Sequence, residues 1–354
     1  ATLRLSESDT LDIALPVIVS LAEDKSWRVR YMVAEHFAKL AEGLGEKLSG
    51  EHLAPIFVKY LKDNEPEVRT VAAGQVVNVS NRLPRESVVS DILPVVKVVM
   101  EDSSEFVRAA LAKVVMDLTP MAGGQEEPKS VLLEVFLQLL KDESADVRLN
   151  VISKLGSAVD NVITLELLSK SLLPAIVELA EDKQWRVRLA IIDHVPILAT
   201  QLGREFFDKE LGSLVFSWLN DTVYSIREAA TRTLGKLTDI FGKDWAKDNI
   251  FPHIETINKS GNYLFRLTSL FAIRDLGSRV GEELLTEHLV PKLLHLCGDP
   301  VPNIRFNVAV VAMELKPYLN SDSVSQVVTC LKGMEGDADS DVAYFAQQAV
   351  ATLN

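Results

Sequence analysis

EDKQWRVRLAIIDHVPILATQLG, residues 181–203, contains a turn, an apolar helix and a stop signal. Asp182 stands six residues before Arg188, with Val187 directly ahead of the arginine. Val187, Ala190, Ile191, His194, Val195 and Leu198 then fall at offsets 0, 3, 4, 7, 8 and 11, one face of an α-helix. Gly203, fifteen residues after Arg188, is where a left-handed cap would end that helix. The same unit recurs eight more times.

Aligned on the arginine, the copies give Arg30, Arg69, Arg108, Arg148, Arg188, Arg227, Arg266 and Arg305, with Ala343 in the ninth place. Six positions earlier stand Asp24, Asp63, Asp102, Asp142, Asp182, Asp221, Ser260, Asp299 and Asp337, so only repeat seven departs. The residue directly before the arginine is apolar in every copy. Fourteen before it stand Pro16, Pro55, Pro94, Pro174, Pro252 and Pro291. Fifteen after it stand Gly45, Gly123, Gly203, Gly242 and Gly281, with Asn320 taking the left-handed position in repeat eight.

Each unit therefore reads as two helices joined by a turn that carries the aspartate. Apolar residues such as Leu172 and Leu173 precede Pro174, so the proline is expected to kink the first helix rather than to start it. Strand signals are absent. Two helices per repeat of about 40 residues is a HEAT- or armadillo-type unit. One such pair cannot bury both apolar faces, so neighbours must stack. The expected fold is all-α: a single right-handed α-α superhelix over 1–354, a HEAT-repeat solenoid of nine antiparallel helix pairs. Its approximate repeats are 8–45, 50–84, 88–123, 129–160, 165–203, 207–242, 246–281, 285–320 and 322–354.

The aspartate and arginine occupy equivalent places in every layer. An aspartate can therefore meet the arginine of its own or an adjacent layer, giving a ladder of charge-assisted hydrogen bonds. Its members are Asp24, Arg30, Asp63, Arg69, Asp102, Arg108, Asp142, Arg148, Asp182, Arg188, Asp221, Arg227, Asp299 and Arg305. Isolated surface pairs, worth under about 1 kcal/mol, do not explain eight recurrences. Ser260 replaces the aspartate in repeat seven, so Arg266 is expected to be freer to face a partner than its siblings.

Composition narrows the function. The chain of 354 residues is 47% hydrophobic, 25% charged and 6% aromatic, which suits a helical protein and not a disordered one. A net charge of −13 with no Lys/Arg cluster disfavours nucleic acid and anionic membranes, both bound through a basic footprint. No apolar run is long enough to span a membrane. Two cysteines, Cys297 and Cys330, with no CxxC, make no disulfide framework, and a reducing compartment is the natural reading. A cytoplasmic location, extending to the nucleus, is expected. No signal peptide precedes residue 10, but the chain opens at Ala1 without Met, as it would after removal of an upstream region.

Nothing supports catalysis. The histidines follow no metal spacing, and His36 and His194, at equivalent apolar-face positions, read as packed neutral side chains. His288 and His295 lie seven apart without a third ligand. In DADSD, residues 337–341, Val342 and Gln348 stand where a calcium loop needs Gly and Glu, so Asp337 is the repeat aspartate. Phosphate-binding and nucleophile motifs are absent. The sequons at Asn78, Asn220 and Asn258 are expected to be idle. No cofactor and no metal are expected, and the chain reads as a non-enzyme.

One constellation rises above this background. Three residues before the arginine, the copies read Trp27, Pro66, Glu105, Ala145, Trp185, Tyr224, Tyr263, Pro302 and Ser340. Repeats five, six and seven thus place three aromatics at one turn position. Stacking would align them on one edge about 10 Å apart. With Arg186 beside them, they match the residue choice of interface hot spots.

Several stretches carry a resemblance: DKSWRVRYMVAEHF (24–37), SLLPAIVELAEDKQWRVRLAII (171–192), VYSIREAAT (223–231), GNYLFRLTSLF (261–271) and GDPVPNIRFNVA (298–309). They resemble the scaffold (A) subunits of serine/threonine protein phosphatase 2A, with departures around 74–90 and 121–130. The resemblance implies fifteen HEAT repeats in the family, of which this chain would hold the last nine. It implies a non-catalytic scaffold that grips the phosphatase catalytic subunit through the intra-repeat turns of its C-terminal repeats. Those contacts map onto Trp185, Arg186, Tyr224, Arg266 and Val301, to which the aromatic row adds Tyr263. Trp27 and Arg28 match the surface that meets regulatory B-type subunits. A karyopherin-type transport adaptor, also a HEAT solenoid, is the alternative.

Overall fold

A turn aspartate starts the second helix in every described repeat but the seventh. In a computed structural model that describes residues 10–122, 126–155, 170 and 172–354, Asp63 Oδ1 accepts the Glu65 amide at 2.9 Å and Asp299 Oδ1 accepts the Val301 amide at 2.9 Å. This Asx turn leaves the next residue extended, as at Glu65 (φ −91°, ψ 123°), and the helix begins one residue later. The same bond runs from the Ser26, Ser104, Ser144, Gln184, Val223 and Asp339 amides to the preceding aspartate. Repeat seven makes it with the Ser260 hydroxyl, at 3.2 Å from the Asn262 amide. Gly123 and most of 156–171, spanning the end of the fourth expected repeat and the start of the fifth, lie outside the described residues.

Among the described residues every regular element is helical. They form two compact units, Ala1–Leu179 and Ala180–Asn354. In the first, the second helices Trp27–Glu35, Pro66–Ser80, Glu105–Ala112 and Ala145–Ile152 pack in succession. Each is backed by its first helix: Leu15–Ala22, Ala54–Tyr60, Leu93–Val99 and Glu126–Leu140. In the second unit, Trp185–Leu202, Tyr224–Phe241, Tyr263–Gly277, Pro302–Leu315 and Ser340–Leu353 pack likewise. Phe251–Asn258, Val290–His295 and Ser321–Met334 are the first helices of repeats seven to nine. Each unit is thus a two-layer α-solenoid.

The core runs between the layers. Val68, Val107, Val147, Val187, Ile226, Ile304 and Val342, each directly before the arginine position, are fully buried. Burying each contributes about 1.5–3 kcal/mol. Val29 and Phe265, at the same position, are half-buried.

Three local expectations are corrected. Gly45, Gly203 and Gly242 do end helices with positive φ (79°, 74° and 92°), but their ψ values of 163°, 166° and 164° are extended rather than left-handed helical. That region is open only to glycine, which explains the residue choice better than a left-handed cap does. Asn320 is extended (φ −78°, ψ 170°) and caps the following helix, its side chain accepting the Ser323 amide at 2.8 Å. His36 does not pack: it is exposed, at a break between Trp27–Glu35 and Phe37–Leu44. His194 is half-buried, with Nδ1 2.8 Å from the Ala190 carbonyl.

The prolines are accommodated by a change of helix type. Pro16, Pro55, Pro94 and Pro291 sit second in their α-helices, each directly preceded by a five-residue π-helical turn such as Ser49–Leu53 or Val88–Ile92. The wider turn removes the need for the amide that proline lacks. The helical path thus runs through the proline, as the apolar residues before it require.

Candidate interaction surface

A typical repeat arginine makes two kinds of bond. Its Nη1 donates to the carbonyl of its own turn residue six positions back, as from Arg30 to Asp24 at 2.8 Å and from Arg305 to Asp299 at 2.7 Å. Nε and Nη2 then grip both carboxylate oxygens of the aspartate in the following repeat. Six such forks form among the described residues: Arg30–Asp63, Arg69–Asp102, Arg108–Asp142, Arg188–Asp221, Arg266–Asp299 and Arg305–Asp337, with distances of 2.6–3.1 Å. Arg148 donates to the Asp142 and Glu143 carbonyls. Its expected counterpart Asp182, which accepts the Gln184 amide, belongs to the other unit.

The pairs sit mostly out of water, which strengthens them. Hydrogen bonds donated to Asp63, Asp299 and Asp337 raise the pKa of Arg30, Arg266 and Arg305. Burial acts against the Asp299 carboxylate, but Arg266 and the Val301 amide outweigh it and hold its pKa below the usual range. Asp63 is held low in the same way by Arg30 and the Glu65 amide. Asp337 is held low chiefly by Arg305.

The direction of the fork overturns the expectation for Arg266. Because an arginine reaches forward to the next repeat, Ser260 costs Arg227 its carboxylate, not Arg266. Arg266 is fully engaged: Asp299 takes its fork, and the Ser260 and Gly261 carbonyls take Nη1. Arg227, only 3% exposed, instead donates through Nε to the Thr268 hydroxyl at 3.2 Å and through Nη1 to the Asp221 and Thr222 carbonyls. Burial pulls its pKa below the ordinary arginine value, the opposite of Arg266.

The turn aromatics follow from this frame. Trp185, Tyr224 and Tyr263 are each the first residue of a second helix, three residues past the turn position. They lie on three helices that pack in succession in one unit. Tyr224 is 48% and Tyr263 42% exposed, while Trp185 is half-buried under the exposed Arg186, whose guanidinium lies 4.7 Å from its ring centre. Tyr224 leans edge-on against Phe271, with centroids 6.1 Å apart, so its face is fixed rather than free. Val301, half-buried, is the residue whose amide Asp299 holds. In the other unit, Arg28 stacks on Trp27 at 4.8 Å, repeating the Arg186–Trp185 geometry.

Other joints escaped the sequence reading. Lys59–Glu23, Lys97–Glu134 and Lys292–Glu255 bridge first helices of adjacent repeats at 2.6, 2.7 and 2.9 Å. Asn258, the sequon residue, is 1% exposed and ties repeat seven to eight by donating to the Ser269 hydroxyl and the Lys292 carbonyl. Cys297 and Cys330 are bonded to each other. No pairing among these residues repeats at the same two positions, so periodicity could not flag the pairs. Among the described residues no group of three or more His, Cys, Asp or Glu is placed to hold a metal ion, and no helix is long and apolar enough to cross a membrane.

Comparison with known proteins identifies the repeat. A family model described as PPP2R1A-like HEAT repeat matches residues 46–123, and the HEAT repeat model matches 14–44, 132–162 and 211–241. The beta isoform of the human 65 kDa regulatory A subunit of serine/threonine-protein phosphatase 2A is 46% identical over 123 residues, 34% of this chain and 20% of that protein. The chain is a HEAT-repeat protein related to the phosphatase 2A A subunits. The regulatory A subunit of protein phosphatase PP2A from Saccharomyces cerevisiae is 42% identical over 125 residues, 33% of this chain and 20% of that protein. The matched stretch thus spans about a fifth of these relatives' length. A crystal structure of importin beta superposes with a TM-score of 0.70 at 12% identity, covering 98% of this chain and 45% of that one. That likeness shows the HEAT solenoid fold alone.

Proposed function

We propose that the chain is a non-catalytic scaffold. It binds the phosphatase 2A catalytic subunit through the intra-repeat turns of repeats five to eight and holds it relative to a regulatory B-type subunit. Kinship with proteins named as regulatory A subunits supports the family of partners. The observation that carries the site is the row Trp185, Tyr224 and Tyr263 at the start of three successively packed helices, behind which Arg188 and Arg266 lock the turns to their neighbours. Rigid aromatic area on a pre-formed edge binds with little ordering cost. Arg186 and Val301 extend that edge, and Arg266 supports it from behind. Trp27 and Arg28 form the corresponding edge for the B-type subunit. The mechanism is geometric: within each unit the ladder holds the docking edge stiff for its partner, and small rotations between repeats add up to flexing.

Isothermal titration of the purified chain with the phosphatase 2A catalytic subunit tests the reading. A saturable one-to-one complex with micromolar or tighter affinity is expected. No heat from a chain shown by circular dichroism to be folded would overturn it.

A further inference from the structure

We propose that Cys297 and Cys330 form a redox-controlled clamp that locks repeat nine onto repeat eight. The chain has two cysteines in 354 residues, and the fold brings the pair together with their Cα atoms 6.5 Å apart and their sulfurs bonded. Cys297 lies in the short helical turn Leu296–Gly298 that ends the first helix of repeat eight. Cys330 lies in Ser321–Met334, the first helix of repeat nine. The bond therefore crosses between adjacent first helices.

Three other joints of this layer carry an ion pair, each at its own positions. Lys59–Glu23, Lys97–Glu134 and Lys292–Glu255 cross the same layer at earlier joints. Among the described residues no ion pair joins Val290–His295 to Ser321–Met334, and the disulfide crosses this joint instead. Other ties of repeat nine lie elsewhere, among them the Arg305–Asp337 fork, the Phe306–Phe345 ring pair, the packing of Pro302–Leu315 on Ser340–Leu353, the Thr286 hydroxyl with Asn320 and Ser323, and Lys316 with the Thr352 carbonyl. A covalent bond closing a loop across that joint removes much of its freedom. Cys297 also sits two residues before Asp299, which holds both the Arg266 fork and the Val301 amide. The clamp thus bears directly on a turn of the proposed docking edge.

Both cysteines are half-buried, within reach of a small thiol or disulfide. The exchange balances with glutathione disulfide as oxidant. One cysteine thiolate attacks a glutathione sulfur, expels glutathione thiolate and leaves a mixed disulfide. The second thiolate attacks the protein sulfur of that bond and expels the second glutathione. The protein sulfurs lose two electrons, the glutathione disulfide gains them, and the two thiol protons pass to the released glutathiones. In a reducing compartment the pair rests as thiols, and the clamp closes on oxidation.

The test uses the full chain, equilibrated in glutathione buffers of graded ratio, with differential alkylation read by mass spectrometry and amide exchange followed over 321–353. The two thiols should disappear together in one transition. Reduction should speed exchange across Ser321–Met334 by about 30-fold or more, and Cys330→Ser should exchange at the reduced rate in every buffer. Free thiols at both positions under excess glutathione disulfide, or equal exchange in the oxidised and reduced wild type, would overturn the clamp. Neither readout involves the phosphatase.

Discussion

Arg227 donates to the Thr268 hydroxyl, 3.2 Å away, where the forks seen among the described residues grip a carboxylate. The substitution responsible is Ser260, 33 residues ahead, at the place from which the next repeat supplies its aspartate elsewhere in the ladder. The joint between repeats six and seven is therefore held by Thr268 and by Thr231–Asp275 and Arg279–Asp239 at 2.8 and 2.9 Å, instead of by a fork.

Restoring the carboxylate should restore the rung. Ser260→Asp offers Arg227 a bidentate partner and can still accept the Asn262 amide. The variant is expected to gain about 1 kcal/mol in urea unfolding. A neutral or destabilising result would mean that Thr268 already satisfies the guanidinium.

Removing a carboxylate elsewhere should do the reverse. Asp299→Ala leaves the Arg266 fork unpaired in a site where the aspartate side chain is 3% exposed, and frees the Val301 amide. A loss of about 2–4 kcal/mol is expected. Thermal unfolding with circular dichroism measures it, and a loss below about 0.5 kcal/mol would count the rung as decorative.

Acid should loosen the ladder. Asp63, Asp299 and Asp337 have folded pKa values below their unfolded ones, so the stability they supply is present above the unfolded aspartate range. It is lost as pH falls through their lowered values. Stability is predicted to fall below about pH 4, and Asp299→Asn should flatten that fall. Glu255, pulled down to about 2 by Lys259 and Lys292, keeps its bridge into stronger acid. A stability profile unchanged between about pH 5 and pH 2 would contradict these assignments.

Most of the fold is legible because a solenoid writes its contacts at a fixed period. The apolar residue before each arginine, the turn aspartate and the glycine stop all repeat, and the repetition excludes chance. Direction is not legible. Periodicity says that Asp and Arg are equivalent in every layer but not whether the arginine reaches its own turn or the next, and that ambiguity assigns the effect of Ser260 to Arg266 instead of Arg227. His36 is misplaced because a helix break follows Glu35, and the face counted from offsets does not survive it. The first-helix bridges and the cysteine pair repeat no common pairing, so nothing in the pattern announces them, and Asn258 shows only as a polar residue where its siblings are mostly apolar.

The turn aromatics give the most direct test of the scaffold reading: titration of the phosphatase 2A catalytic subunit into wild type, Trp185→Ala, Tyr224→Ala and, as a control in the other unit, Trp27→Ala. Trp185→Ala should weaken binding by about 2 kcal/mol or more, roughly 30-fold, with Tyr224→Ala weakened less, Trp27→Ala unchanged and all four chains equally folded. Wild-type affinity in both Trp185→Ala and Tyr224→Ala would contradict the docking edge.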